Sequence, residues 1–204
     1  MDYRGRMTGA VLIVVDLLND FFERSPVLAD QRPRLVAATN ELTHGVREAG
    51  LPVIWIRQEL EADLSDAPLD QRDRNLRMLI AGTSGCTLLP ELISSPADRV
   101  VIKKRYSAFF GTDLDRTLAS LHPETLIVCG INTHACIRMT VIDAYQRDYR
   151  VIVAADAIGS TDGEHHDVTV RYLDGKMARF LSNARILALL RADESASPSV
   201  SVTR

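Results

Sequence analysis

Short, unbroken apolar runs recur along the chain at residues 10–15, 53–56, 100–102, 126–129 and 151–154. Between or after them, apolar positions recur every three to four residues over 32–49, 68–81, 113–121, 136–148 and 166–180. A run without polar alternation suits a strand covered on both faces, whereas the 3.6-residue period suits a helix with one buried stripe. Strands alternating with helices predict βαβ units and a parallel sheet. A last run at 184–187 reads as an edge strand. The expected fold is a three-layer α/β/α sandwich with a mainly parallel sheet of about six strands.

At 204 residues, with no internal repeat and no linker, the chain reads as one domain over 1–191. Residues 192–204 are small, polar and Ser-rich, and are expected to be a disordered tail. The 59–73 stretch is acidic and poor in apolar residues, so it is expected to be an exposed excursion serving as a lid or an oligomer contact. A formal charge of −3 gives no electrostatic basis for binding nucleic acid or acidic membranes. No apolar run approaches the ~20 residues that span a bilayer. Residues 1–6 lead straight into a strand pattern with no signal-peptide core, and Cys86, Cys129 and Cys136 have neither metal-ligand spacing nor an even disulfide framework. A cytoplasmic location follows as an expectation.

Chemistry concentrates at Ile127-Val128-Cys129-Gly130-Ile131-Asn132-Thr133-His134-Ala135-Cys136, where a strand ends at glycine and a cysteine opens a helical pattern. A thiol at a helix N-terminus feels the positive end of the macrodipole, which can bring its pKa well below ~8.5. The turn also offers unpaired backbone N–H groups to a developing oxyanion. Alone, Cys136 could equally be a small core hydrophobe. In open α/β sheets, however, ligands bind outside the carboxyl ends of the strands. There Asp16 ends the first strand, Lys103 ends the third, and the fourth leads to Cys136. Such a carboxylate can take the thiol proton and later return it to a leaving amine, and the ammonium can order both charges.

Other candidates are weaker. His134 stands two residues before Cys136, a spacing that points the two side chains apart, so it reads as a pocket-rim residue. His165 and His166 read as the start of a helix, Cys129 as inert core, Cys86 as loop packing and Asp156 as a structural hydrogen-bonding group. Phe22, Phe109 and Tyr106, each close behind Asp16 or Lys103, are candidate substrate-pocket walls. The Gly82–Gly85 stretch carries no phosphate-binding pattern.

The segments Val14-Val15-Asp16-Leu17-Leu18-Asn19-Asp20-Phe21, Gly82-Thr83-Ser84-Gly85, Leu89-Pro90-Glu91-Leu92, Lys103-Lys104-Arg105-Tyr106-Ser107-Ala108-Phe109-Phe110-Gly111-Thr112-Asp113-Leu114, Cys129 to Cys136 and Ala155-Asp156-Ala157 occur together and in order. In them the chain resembles the isochorismatase-like cysteine hydrolases, which include nicotinamidases and N-carbamoylsarcosine amidases, over about residues 8–190. The resemblance implies a catalytic set of Asp16, Lys103 and Cys136, with Lys103 preferred to Lys104 because it stands three residues before the aromatic Tyr106. It also implies a cis peptide bond between Ile131 and Asn132, and an oxyanion hole from the N–H groups of Asn132 and Cys136.

Two departures stand out. Leu18 occupies a position where the family often has glutamine, and the stretch after the second strand, Ile56 to Asp63, lacks the histidines of the nicotinamidase metal site. The expected activity is therefore metal-independent and cofactor-free hydrolysis of a small amide, lactam or ureido C–N bond through a thioester, by a homodimer or homotetramer. The alternatives are vinyl-ether hydrolysis of the isochorismatase type, which needs no thiol, and a catalytically silent binding subunit.

Overall fold

The apolar runs form strands in the computed structural model of the protein, which describes Met7 and residues 9–196. In chain order the strands are β1 (Val11–Val15), β2 (Val53–Gln58), β3 (Arg99–Lys103), β4 (Thr125–Gly130), β5 (Arg150–Ile158) and β6 (Arg179–Leu181). The helices are α1 (Asn19–Glu23), α2 (Pro26–Glu48), α3 (Leu69–Asp73), α4 (Leu114–Leu121), α5 (Arg138–Tyr145), α6 (Gly163–Leu173) and α7 (Asn183–Ala196). All neighbouring strands run parallel, in the order β3-β2-β1-β4-β5-β6. The order reverses between β1 and β4, which is where such sheets open a ligand crevice.

The central strands lack alternation because both faces are covered. Leu12, Val14, Ile127 and Cys129 face a core shared with Leu35 and Leu42 of α2 and Ile186 of α7. Val11, Ile13, Val15, Leu126 and Val128 face Leu114 and Leu118 of α4 and Val141 and Ala144 of α5. The sheet is thus the middle layer of the expected α/β/α sandwich.

Several elements differ from the sequence reading. Helix α2 starts at Pro26, upstream of residue 32, because Ser25 caps it: its side chain accepts from the Leu28 N–H at 3.3 Å. The helix expected over 68–81 stops at Asp73; Asn75 and Leu79 take left-handed φ values of 46° and 57°, which end helical geometry. Residues 184–187 are helical, within α7, and the sixth strand is β6, formed where a helix was expected to end. Helix α6 stops at Leu173, and Gly175 turns the chain with φ 74°. Helix α7 continues to Ala196, into the stretch expected to be disordered. The rest of that tail and residues 1–6 lie outside the described residues.

The 59–73 excursion is anchored rather than free. Leu60, Leu64 and Ala67 are buried together, with Ile80 packed against them. Lys104 reaches Asp66 at 2.7 Å, and an Arg105 guanidinium N–H donates to the Asp66 carbonyl at 2.8 Å. No helix among the described residues is long and apolar enough to cross a membrane.

Candidate active site

Asp16, Lys103 and Cys136 meet at the carboxyl end of the sheet. Asp16 follows β1 with φ 55°, a left-handed conformation seldom taken by residues other than Gly, Asn and Asp. Its backbone N–H is held by the Ile56 carbonyl at 3.0 Å, and its Oδ1 accepts from the Gln58 N–H at 3.0 Å. Oδ2 lies 2.6 Å from Nζ of Lys103. That ammonium also donates to the Arg105 carbonyl at 3.0 Å and to Sγ of Cys136 at 3.4 Å. Its three protons thus have three partners. Asp16, Lys103 and Cys136 are 1%, 0% and 2% exposed, so the cluster is dry. Asp16 Oδ2 has no hydrogen bond beyond this ion pair, so a lone pair remains for an incoming proton.

Burial alone would lower the Lys103 pKa, but the neighbouring Asp16 and Cys136 more than offset it, and the amine is held above its ordinary value as an ammonium. Burial pushes the Cys136 thiol up to about 12; Lys103 opposes this and the Asp16 charge adds to it. The expectation of a helix-activated thiolate is therefore corrected. Cys136 does not cap an exposed helix end but lies inside a buried π-helical turn, Thr133–Ile137, that precedes α5. At neutral pH the proton therefore stays on sulfur, beside a carboxylate that can accept it.

The turn that carries Cys136 is fixed from two sides. Gly130 has φ 113°, and a Cβ there would stand 2.0 Å from the Val15 carbonyl oxygen, so only glycine lets β4 close onto β1 at this point. The Ile131 N–H then bonds that same carbonyl at 3.0 Å, and the Ile131–Asn132 peptide bond is cis. Within the turn, the N–H groups of Ala135 and Ile137 both donate to the Asn132 carbonyl, and that of Thr133 donates to the Gly159 carbonyl. The N–H groups of Asn132 and Cys136 are left out of these bonds.

The remaining candidates separate. Phe109 is buried in the same apolar cluster as Cys136, with the Arg147 guanidinium 4.4 Å from its ring. Phe22 is buried in the cluster that α2 side chains share with the sheet. Tyr106 is 59% exposed and lines a surface groove of about 420 Å³ with Pro68, Arg105, Phe110 and Met139. His134 is half-buried, with Nδ1 2.6 Å from the Ser160 hydroxyl. Burial holds His134 below its usual pKa, against the pull of Asp162. Leu18 is buried with Leu79 and Cys86 in a satellite cluster. Cys129 is fully buried, and burial pushes its thiol up. Asp156 accepts from the Asn183 N–H at 2.8 Å, a structural bond.

Gln58 was missed by the sequence reading. It ends β2 in register with Lys103, is 5% exposed, and its backbone N–H donates to Asp16 Oδ1. The signal was a polar side chain at a strand end on the reactive edge. Among the described residues no group of three or more His, Cys, Asp and Glu side chains could hold a metal ion.

Comparison with known proteins places this geometry among relatives. The isochorismatase domain family model matches residues 10–185. A protein of Arabidopsis thaliana named as a probable inactive nicotinamidase is 33% identical over 178 residues, covering 84% of this chain and 90% of that protein. A ureidoacrylate amidohydrolase of Methylorubrum extorquens is 34% identical over 170 residues, covering 72% of this chain and 68% of that protein. The crystal structure of a cysteine hydrolase from Pseudomonas syringae pv. phaseolicola 1448A superposes with a TM-score of 0.83 at 24% identity, covering 90% of this chain and 93% of that one, and so shares the fold.

Proposed function

Because the chain belongs to the isochorismatase family, we propose that it is a hydrolase that uses Cys136 to cleave a small amide, lactam or ureido C–N bond. The observation that carries this reading is one buried ammonium, Lys103, in contact with both the Asp16 carboxylate and the Cys136 sulfur. Sγ attacks the carbonyl carbon while its proton passes to Asp16 Oδ2. The N–H groups of Asn132 and Cys136 hold the resulting oxyanion. Asp16 then gives the proton to the leaving nitrogen, the C–N bond breaks, and a thioester remains on Cys136. A water molecule, deprotonated by Asp16, releases the acid and restores the thiol. Lys103 keeps its charge throughout and orders both partners.

The named activity of the 34% identical relative, ureidoacrylate amidohydrolysis, supports an amide-type substrate. The test is a panel of carbamoyl, lactam and aromatic amide compounds, followed by mass spectrometry of the products and, for primary amides and terminal carbamoyl groups, by ammonia release, with Cys136→Ala as control. Mass spectrometry of the quenched reaction is expected to show an acyl adduct on Cys136. Turnover that survives in Cys136→Ala would remove the nucleophile, and hydrolysis of a vinyl-ether substrate added to the panel, with Cys136 left unmodified, would favour acid-catalysed vinyl-ether chemistry. One observation favours a silent subunit: the relative at 33% identity is named inactive. That reading predicts no turnover across the panel and no acyl adduct.

A further inference from the structure

The first residues of the turn that carries Asn132 and Cys136 are bonded to the 159–161 segment. The Gly159 carbonyl accepts from the Thr133 N–H at 2.8 Å and from the Thr133 hydroxyl at 3.0 Å, and the Gly159 N–H donates to the Gly130 carbonyl at 3.1 Å. The Thr161 N–H donates to Oδ1 of Asn132 at 2.9 Å, and the Ser160 hydroxyl meets His134 Nδ1 at 2.6 Å. This segment, which follows β5, therefore holds the start of the turn, together with the Val15 carbonyl that bonds the Ile131 N–H.

The segment is in turn held by two side chains one turn apart on α2. Gln31 Nε2 donates to the Ser160 carbonyl at 2.9 Å, and Gln31 Oε1 faces the Ser160 N–H at 3.4 Å. Arg34 donates to the carbonyls of Asp156 at 2.6 Å and Ile158 at 3.0 Å. The fit is close: a Cβ on Gly159 would lie 2.8 Å from Gln31 Oε1 and 2.8 Å from a Leu35 methyl. Neither Gln31 nor Arg34 is in the cluster around Cys136.

We propose that Gln31 is a positioning residue for the oxyanion-binding turn, acting through Ser160 and Gly159, with Arg34 steadying the same segment upstream. This rests on the reading of Cys136 as a nucleophile. Attack on a carbonyl needs the Asn132 and Cys136 N–H groups in place, whereas alkylation of the same sulfur by iodoacetamide develops no oxyanion. Loss of Gln31 is thus expected to separate the two reactions. A displacement of the order of 1 Å in a reacting group can cost ~100-fold.

The experiment compares the intact wild-type chain with Gln31→Ala, Gln31→Glu and Arg34→Lys. Gln31→Glu keeps the size and the acceptor but removes the donor to Ser160. Two readouts are taken: kcat and KM for p-nitrophenyl acetate hydrolysis, and the rate of Cys136 alkylation by iodoacetamide at pH 9, followed by mass spectrometry. For both Gln31 variants kcat is expected to fall about 10- to 100-fold, with alkylation within about twofold of wild type. Arg34→Lys, which keeps one of two carbonyl contacts, is expected to fall less. Wild-type kcat in both Gln31 variants, or a parallel fall of hydrolysis and alkylation, would overturn the positioning role. A wild-type protein whose hydrolysis equals that of Cys136→Ala would instead bring down the nucleophile assignment itself, and this inference with it.

Discussion

Nζ of Lys103 lies 2.6 Å from Oδ2 of Asp16, and neither side chain has measurable exposure. Each charge in this pair is tolerated inside the protein only because the other is present. Deleting one partner leaves a bare charge in a dry site, at a typical cost of ~3–5 kcal/mol. Lys103→Met is expected to lose about that much in urea unfolding. The double variant Lys103→Met/Asp16→Asn is expected to recover part of the loss. A single variant within about 1 kcal/mol of wild type would show that the pair is more hydrated than its geometry implies.

Asp16→Asn gives a prediction in which two reactivities move in opposite directions. Asparagine tolerates the φ of 55° at this position, so the fold is expected to survive. Turnover should disappear with the base. The Asp16 charge raises the Cys136 pKa and Lys103 lowers it, so removing the carboxylate makes the thiol more acidic. Iodoacetamide should therefore alkylate the inactive variant faster than wild type at pH 8. Slower alkylation would contradict the electrostatic assignment.

Alkaline pH is expected to destabilise the protein in a way that depends on the same sulfur. Below the unfolded thiol pKa of ~8.5, both folded and unfolded chains keep the proton. Above it only the unfolded chain ionises, because burial holds folded Cys136 up to about 12. Stability is therefore present below ~8.5 and falls as pH rises from there towards the folded value. Lys103, whose pKa is raised, adds to the fall at the upper end of this range. Thermal melts between pH 8 and 11 are expected to show a shallower decline in Cys136→Ala. Identical declines would assign the effect to other groups.

Gly130→Ala is expected to be among the most damaging small substitutions in the chain. The added methyl would lie 2.0 Å from the Val15 carbonyl oxygen, on a residue whose φ is 113°. Relief requires β1 and β4 to part at the point that aligns Asp16 with the Cys136 turn. Gly50→Ala is the control: it also has positive φ, at 67°, but nothing lies within 4 Å of the new methyl. It should cost ~1–2 kcal/mol, the strain of the left-handed conformation alone. Equal melting temperatures for the two variants would show that β1 and β4 yield easily.

Much of this arrangement was legible because strand burial and strand ends leave marks in sequence. Val11 to Val15 is apolar without a break because it is covered on both sides, and Asp16, the first polar residue after it, stands where the crevice opens. The same logic found Lys103 at the end of β3. It failed at 184–187, where Ile186 is the buried residue of one turn of α7 and periodicity over four residues cannot tell helix from strand. It failed over 68–81 because Asn75 and Leu79 adopt left-handed backbone that their spacing does not announce. Gln31 and Arg34 were invisible for another reason: their partners are backbone carbonyls more than a hundred residues away, and carbonyls carry no sequence identity. The thiol was misjudged because its pKa depends on how much water reaches the turn, a property of the packed molecule.

The dryness around Asp16, Lys103 and Cys136 also has a bearing on selectivity. The Asp16–Lys103 ion pair is fully buried, so a group that comes to react beside it must shed its hydration shell. An ionised head group would sacrifice far more solvation there than an uncharged amide. On the proposed reading of Cys136, the buried pair is expected to favour substrates whose reacting end is uncharged.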